Sequence, residues 1–185
     1  MNALIDISHV VLRTERLILR PWQPGDLDDL YEYASVDGVG QMAGWLPHGS
    51  KEVSQGILDT FIEGKKVFAL ELDGKVIGSL GIEKYNEKRY PELGSMSGRE
   101  IGYVLSKEYW GRGLMPEAVQ AVVEYAFSTL KLDFLMVGHF AWNTQSRMVI
   151  EKCGFQYVKT IDYTTRYETT EKCMEYILYN PNTKA

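Results

Sequence analysis

Two periods, one of two residues and one near 3.6, divide this chain into alternating extended and helical stretches. Residues 16–22 alternate and predict a first strand, limited by Pro21, before Pro24-Gly25 turns the chain. Asp26 stands at a cap position ahead of a helical stripe of Leu27, Leu30, Tyr31 and Ala34. A glycine-rich loop, residues 37–49, leads to Ser50. That serine opens a second stripe of Val53, Ile57, Leu58, Phe61 and Ile62, which Gly64 closes. Two apolar runs, Val67–Leu72 and residues 75–82, are joined by Asp73-Gly74, the dipeptide a two-residue hairpin demands. Residues 83–98 read as a polar loop.

The pattern then becomes informative. Ile101, Tyr103 and Leu105 alternate with Glu100, Gly102 and Val104, which is a strand. Ala118, Val119, Val122, Val123, Ala126 and Phe127 recur at helical spacing, with Pro116 placed to begin a helix. Between them lies Trp110-Gly111-Arg112-Gly113-Leu114-Met115. Residues 133–140 predict another buried strand, its direction left open. Asn143 caps a further helix with Met148, Val149 and Ile150 inward and Gly154 as its stop. Residues 155–161 and 172–179 are two last strands around a polar, threonine-rich 162–171. Residues 1–11 read as an arm or a short extra strand, and 180–185 as a tail. Mixed strands and helices in 185 residues predict one α/β domain, its core about 12–179.

Composition narrows the function classes. Apolar content of 45% and charged content of 24% are those of a soluble globular protein. A net charge of -5 argues against bulk nucleic-acid binding. No apolar run approaches the ~20 residues of a membrane span, and no basic stretch followed by an apolar one marks a secretory leader. Cys153 and Cys173 lack metal spacing and read as reduced, mostly buried thiols, which points to the cytoplasm. The three histidines are scattered, so no metal site is expected.

Strand, glycine turn and helix together leave backbone N–H groups free at the positive end of a helix dipole, where anions bind. The turn is neither a P-loop, since no Gly-Lys-Ser/Thr ends it, nor a dinucleotide fingerprint, since Pro116 occupies the third glycine position. Asp133 precedes an apolar run, whereas the ribose-binding acid of that fingerprint ends a strand. Taken alone, the turn fits a phosphate ligand and a plain tight connection equally well.

Residues 100–127 resemble the acyl-CoA-binding motif of GNAT-type N-acetyltransferases, Gln/Arg-x-x-Gly-x-Gly/Ala between a strand and a helix. Asn143-Thr-Gln-Ser146 with Glu151-Lys152-Cys153-Gly154-Phe155 is similar to the Asn-x-x-Ser…Glu-Lys-x-Gly-Phe segment of the branch that includes RimJ and RimL, which acetylate the amino termini of ribosomal proteins. Thr14-Glu15-Arg16-Leu17-Ile18-Leu19-Arg20 also looks like that branch. Two departures stand out: Trp110 where Gln or Arg is usual, and Met115 in place of a final small residue. The resemblance covers nearly the whole chain. It implies a GNAT-like fold, a central mostly antiparallel sheet flanked by helices. It further implies acetyl-CoA as co-substrate and direct transfer to a primary amine, a protein N-terminus by likeness to RimJ and RimL, in a monomer or homodimer.

On that resemblance the backbone N–H groups of Gly111, Arg112, Gly113, Leu114 and Met115 would hold the coenzyme phosphates. The Arg112 side chain would add a charge-assisted bond or stay solvated. The backbone of Tyr103, Val104 and Leu105 would pair with the pantetheine arm and present one N–H to the developing oxyanion. Glu100 would serve as base, its carboxyl raised by desolvation, with His139 as rival. Ser146 would serve the leaving thiolate, and Asn143 would contact the pantetheine or act as helix cap alone. A small-molecule amine as acceptor, and a non-catalytic acyl-CoA-binding module, are the alternatives.

Overall fold

The computed structural model describes residues 1–183. Its single sheet has eight strands, β1 (Leu12–Arg13), β2 (Ile18–Pro21), β3 (Val67–Leu72), β4 (Lys75–Glu83), β5 (Gly98–Leu105), β6 (Phe134–Phe140), β7 (Gln156–Thr164) and β8 (Thr170–Tyr179). They lie in the order β1-β2-β3-β4-β5-β6-β8-β7. Every neighbouring pair is antiparallel except β5 and β6. A parallel pair needs a crossover, and α3 (Leu114–Ser128) supplies it. The mostly antiparallel α/β sheet expected from the resemblance is therefore present.

The Asp73-Gly74 turn forms as its sequence demands, with φ of 50° and 81° at the two central residues. Helices α1 (Leu27–Ala34) and α2 (Lys51–Gly64) cover one face through Leu30, Tyr33, Ala34 and Leu58, packed on Trp22, Val67, Ala69 and Val76. Helix α3 and α4 (Thr144–Lys152) cover the other, where Leu114, Met115, Ala118, Val119, Val122 and Ile150 meet Ile82, Ile101, Leu135 and Val137. The predicted alternation in β5 holds: Ile101, Tyr103 and Leu105 pack on the α3 side, and Val104 on the α1/α2 side.

Several expectations change in detail. Helix α3 begins at Leu114, not Pro116, because Gly113 takes a left-handed conformation, φ 74°, at its cap. Pro116 becomes the third helical residue, still within the turn whose amides have no partner inside the helix. Asp26 precedes α1 but does not cap it. Its carboxylate instead accepts from both Arg20 Nη groups, at 2.8 and 2.9 Å, and from the Gln23 N–H. Tyr33, not Tyr31, is the buried tyrosine of α1. Ser50 precedes α2 without a side-chain cap bond. Val53 and Met148 do not face inward; they are 49% and 63% exposed. Strands β7 and β8 extend into the polar segment, to Thr164 and from Thr170, since polar residues suit an edge hairpin open to water.

The ends are less loose than composition suggests. Asn2 bridges to Gly98 in parallel, and Ile7 is fully buried in the core. Asn180 donates from its N–H to the Asp133 carbonyl and from its side chain to the Leu132 carbonyl, at 2.8 and 2.9 Å. Of the predicted tail, residues 184–185 lie outside the described residues. Asp133 accepts from the Ser97 N–H at 2.6 Å, tying the start of β6 to that of β5.

Gly98 opens β5 against the Phe134 ring, which is buried and edge-on to Tyr85 at 5.1 Å. A Cβ at Gly98 would collide with that ring. Gly98→Ala should therefore lower stability by about 1–3 kcal/mol, the usual cost of overpacking a core; urea unfolding of both proteins measures it.

Candidate functional site

β5 and β6 run side by side only from Gly98–Phe134 to Ile101–Val137. Beyond Ile101 the register ends, although β5 continues to Leu105 and β6 to Phe140. The two strands have parted. Residues 102–105 keep β4 as partner on one side and have none on the other. The edge of an open strand can take hydrogen bonds from a ligand. A cavity of about 1380 Å³ occupies the gap.

The glycine turn closes one end of that cavity. Gly111 and Gly113 both have positive φ, 73° and 74°. None of the N–H groups from Gly111 to Met115 donates to another described residue, and Pro116 has none to give. Five successive amides thus stand without partners at the positive end of α3. Met115 does not obstruct them, since its side chain is buried in the core below α3.

The turn is held from outside. Arg16 Nη1 donates to the Arg112 carbonyl at 2.9 Å, while Arg16 also pairs with Glu117 of α3 at 2.7 Å. Thr14 Oγ1 donates to the same carboxylate. Trp110, in the unusual position, donates from Nε1 to the Leu105 carbonyl at 2.8 Å and so joins the end of β5 to the turn.

All the expected site residues line this one cavity except Arg112. That arginine is exposed, with its guanidinium over the Tyr109 ring at 5.0 Å. Tyr103 faces α4, and its hydroxyl lies 2.9 Å from Ser146 Oγ. Burial holds the Tyr103 hydroxyl well above the usual phenol range. Asn143 Oδ1 accepts from the Ser146 N–H at 3.0 Å, the expected cap. Its Nδ2 donates to the Met42 carbonyl at 3.2 Å, tying the 37–49 loop over the parted strands.

Glu100 is half-buried on the opposite face of β5 from Tyr103. Burial in the cavity wall is the main cause that pushes its carboxyl up to about 7, and the nearby Glu175 carboxylate adds to it, against the pull of Arg89. Glu100 has no hydrogen-bond or ion-pair partner among the described residues. Its rival is differently placed. His139 is buried, with Nδ1 2.8 Å from the Phe140 carbonyl and Nε2 3.2 Å from the Tyr176 hydroxyl, so both ring nitrogens are engaged.

Sequence reasoning missed Glu175 and Arg89. Glu175 is buried on β8 and accepts from Arg89 Nη1 at 2.7 Å and from the Tyr90 hydroxyl. An acid inside the run Cys173-Met174-Glu175-Tyr176-Ile177 was the available signal. Arg89 sits in the 83–98 loop, where nothing in the pattern marks it. Both cysteines are free, and burial raises their thiols to about 11 for Cys153 and about 12 for Cys173. Among the described residues no group of three or more His, Cys, Asp or Glu side chains could hold a metal ion, and no helix is long and apolar enough to cross a membrane.

Residues 16–156 match the family model described as an acetyltransferase (GNAT) domain. The chain belongs to the GNAT acetyltransferases. It is 31% identical over 154 residues to the N-acetyltransferase p20 of Bacillus licheniformis, covering 78% of this chain and 82% of that one. A GNAT-family acetyltransferase structure from Bacillus anthracis superposes with a TM-score of 0.80 at 23% identity, covering 92% of this chain and 99% of the other. The acetyltransferase MccE, solved with acetyl-CoA and AMP, superposes with a TM-score of 0.73 at 14% identity, covering 89% and 93%. As a member of this GNAT family the chain is an acetyl-CoA-dependent acetyltransferase.

The raised Glu100 carboxyl has a consequence for stability. Its folded pKa of about 7 lies above the ordinary 4.5, so the folded state holds the proton longer than the unfolded one. The contribution is full below pH 4.5 and is lost as the pH rises through about 7. Glu100→Gln removes this loss. The melting temperature of the variant, relative to the parent, should be higher at pH 8 than at pH 5, which thermal scans at both values check.

Proposed function

We propose that the chain transfers an acetyl group from acetyl-CoA directly to a primary amine, with the acceptor a protein N-terminus. The five unpartnered amides at residues 111–115, opening on the free edge of β5, carry this reading. A diphosphate on those amides is stabilised by the α3 dipole. From there the pantetheine arm reaches residues 103–105 as an added strand, and the thioester carbonyl meets a backbone N–H of that edge. Likeness of residues 143–155 to the corresponding RimJ and RimL segment supports a polypeptide N-terminus.

An ammonium cannot attack until it loses a proton, and in this reading Glu100 takes it, directly or through water. A carboxyl near 7 is matched to that task at neutral pH. The amine nitrogen then bonds to the thioester carbon, negative charge collects on the oxygen, and the carbon–sulfur bond breaks as the carbonyl reforms. The tetrahedral nitrogen, now cationic, loses its second proton, which passes through water and the Tyr103 hydroxyl to Ser146 Oγ as Ser146 protonates the departing sulfur, so that Tyr103 and Ser146 end as they began. Products are the amide and free CoA. Burial raises both thiols, which weakens either cysteine as an acetyl carrier and supports direct transfer.

Two measurements test this. Gly113→Trp should weaken CoA binding by calorimetry at least about tenfold, because a bulky side chain at a left-handed position crowds the amides; unchanged affinity would remove the phosphate assignment. For the parent protein, kcat/KM should rise with pH through about 7, the Glu100 value. In Glu100→Gln, turnover should fall by roughly 10²–10⁴-fold and that limb should vanish, with CoA affinity kept.

A further inference from the structure

The floor of the acceptor side is set by strand register. Glu83 on β4 pairs with Glu100 on β5, and Glu100 with Met136 on β6. Side chains alternate along a strand, so two positions further on the same face stand Gly81, Gly102 and Gly138. Gly81 is the register partner of Gly102, and Glu175 that of Gly138. Gly81 and Gly102 therefore lie paired, with Gly138 at the same level across the opening between β5 and β6, and all three glycines line the cavity. Packing accounts for two of them, since a Cβ at Gly138 would press on Cys173 Sγ at 2.9 Å and one at Gly81 on Glu83 Oε1 at 3.0 Å. It does not account for Gly102, where a Cβ would meet nothing within 4 Å. The space above Gly102 is kept open with no demand from the protein itself.

Charge along this floor is nearly cancelled. Lys66 neutralises Glu83, and Arg89 with Tyr90 holds Glu175. Glu100 is the carboxylate left uncommitted. The opposite wall is mostly apolar: Met42, Trp45 and Leu46 of the 37–49 loop, and Val53 of α2, border the cavity, and the charged group beside them, Arg166, is a cation that would repel a second ammonium. Leu46 and Val53 are 57% and 49% exposed, a cost in water that a bound apolar group would relieve.

We infer that the acceptor lies along the glycine row as a primary amine carrying one positive charge on an apolar body, not as a polyamine or an aminoglycoside. This rests on the reading of Glu100 as base. One free carboxylate matches one ammonium, and a second ammonium would lose its water against Trp45 and Leu46 with no partner. An apolar first residue of a polypeptide and a free apolar amine share this chemistry.

The test uses the full chain with acetyl-CoA and follows CoA release with phenylalaninamide, a peptide beginning with Phe, glycinamide, spermidine and kanamycin. The phenylalanine amines should exceed glycinamide, spermidine and kanamycin in kcat/KM by roughly tenfold or more. The peptide arm against the amide arm tells a polypeptide from a small molecule. Gly102→Val should cut the phenylalanine substrates by about tenfold relative to glycinamide. Leu46→Asp, which adds a second carboxylate to the wall, should shift preference toward spermidine by about fivefold or more. Preference of the parent for spermidine or kanamycin would overturn the inference while leaving amine acetylation intact, as would equal loss on all amines in Gly102→Val. Turnover unchanged in Glu100→Gln would overturn the base reading instead. No release with any amine would overturn both.

Discussion

The parting of two parallel strands governs this molecule. β5 and β6 share four register pairs and then separate, and the separation leaves the β5 edge at residues 102–105 with no strand partner among the described residues. Buried backbone polar groups demand partners, so such a gap persists only where a ligand or water completes it. The glycine turn sits at the end of the same strand and adds five more open amides. Cavity, open turn and strand edge are three views of one incomplete ladder. The flanking helices hold the gap apart: α3 and α4 pack on one face through Met115, Val119 and Ile150, and the 37–49 loop is pinned across the other through Asn143.

Much of the fold was legible because its signals are local. Asp73-Gly74, the alternation of Glu100 to Leu105 and the helical stripe from Ala118 each report on a few neighbouring residues, and each element formed where expected. The failures share a cause. Val53 and Met148 sit at apolar helix positions, yet both border the cavity and stand largely open. Helical period tells which residues share a face, not whether that face meets a core or a ligand site. Asp26 had the right chemistry for a cap but a stronger partner in Arg20, six residues earlier and on a strand.

The site was legible in the same measure. The turn, β5 and the α4 cap announced themselves by motif, and the structure brings them to one cavity, with only the Arg112 side chain outside it. What surrounds Glu100 was not legible. Glu175 is 75 positions away in sequence number, and its Arg89 ends a single 3-10 turn, Glu87–Arg89, within the 83–98 connection. Only the order β5-β6-β8 sets them near one another, and strand order is not written in any local pattern. The glycine row was hidden for the same reason. Gly81, Gly102 and Gly138 read singly as weak points in three strands, and their meaning lies in register alone.

The Arg16 latch bears on how the site comes into being. Its contacts with Arg112 and Glu117 span about a hundred residues of chain. Contacts of that separation close a long loop and carry its entropic cost. The outer support of the glycine turn is therefore non-local, present only where the opening hairpin of β1 and β2 is docked beside α3. The conformation of the turn is thus answerable to a segment that stands about a hundred positions earlier in the chain.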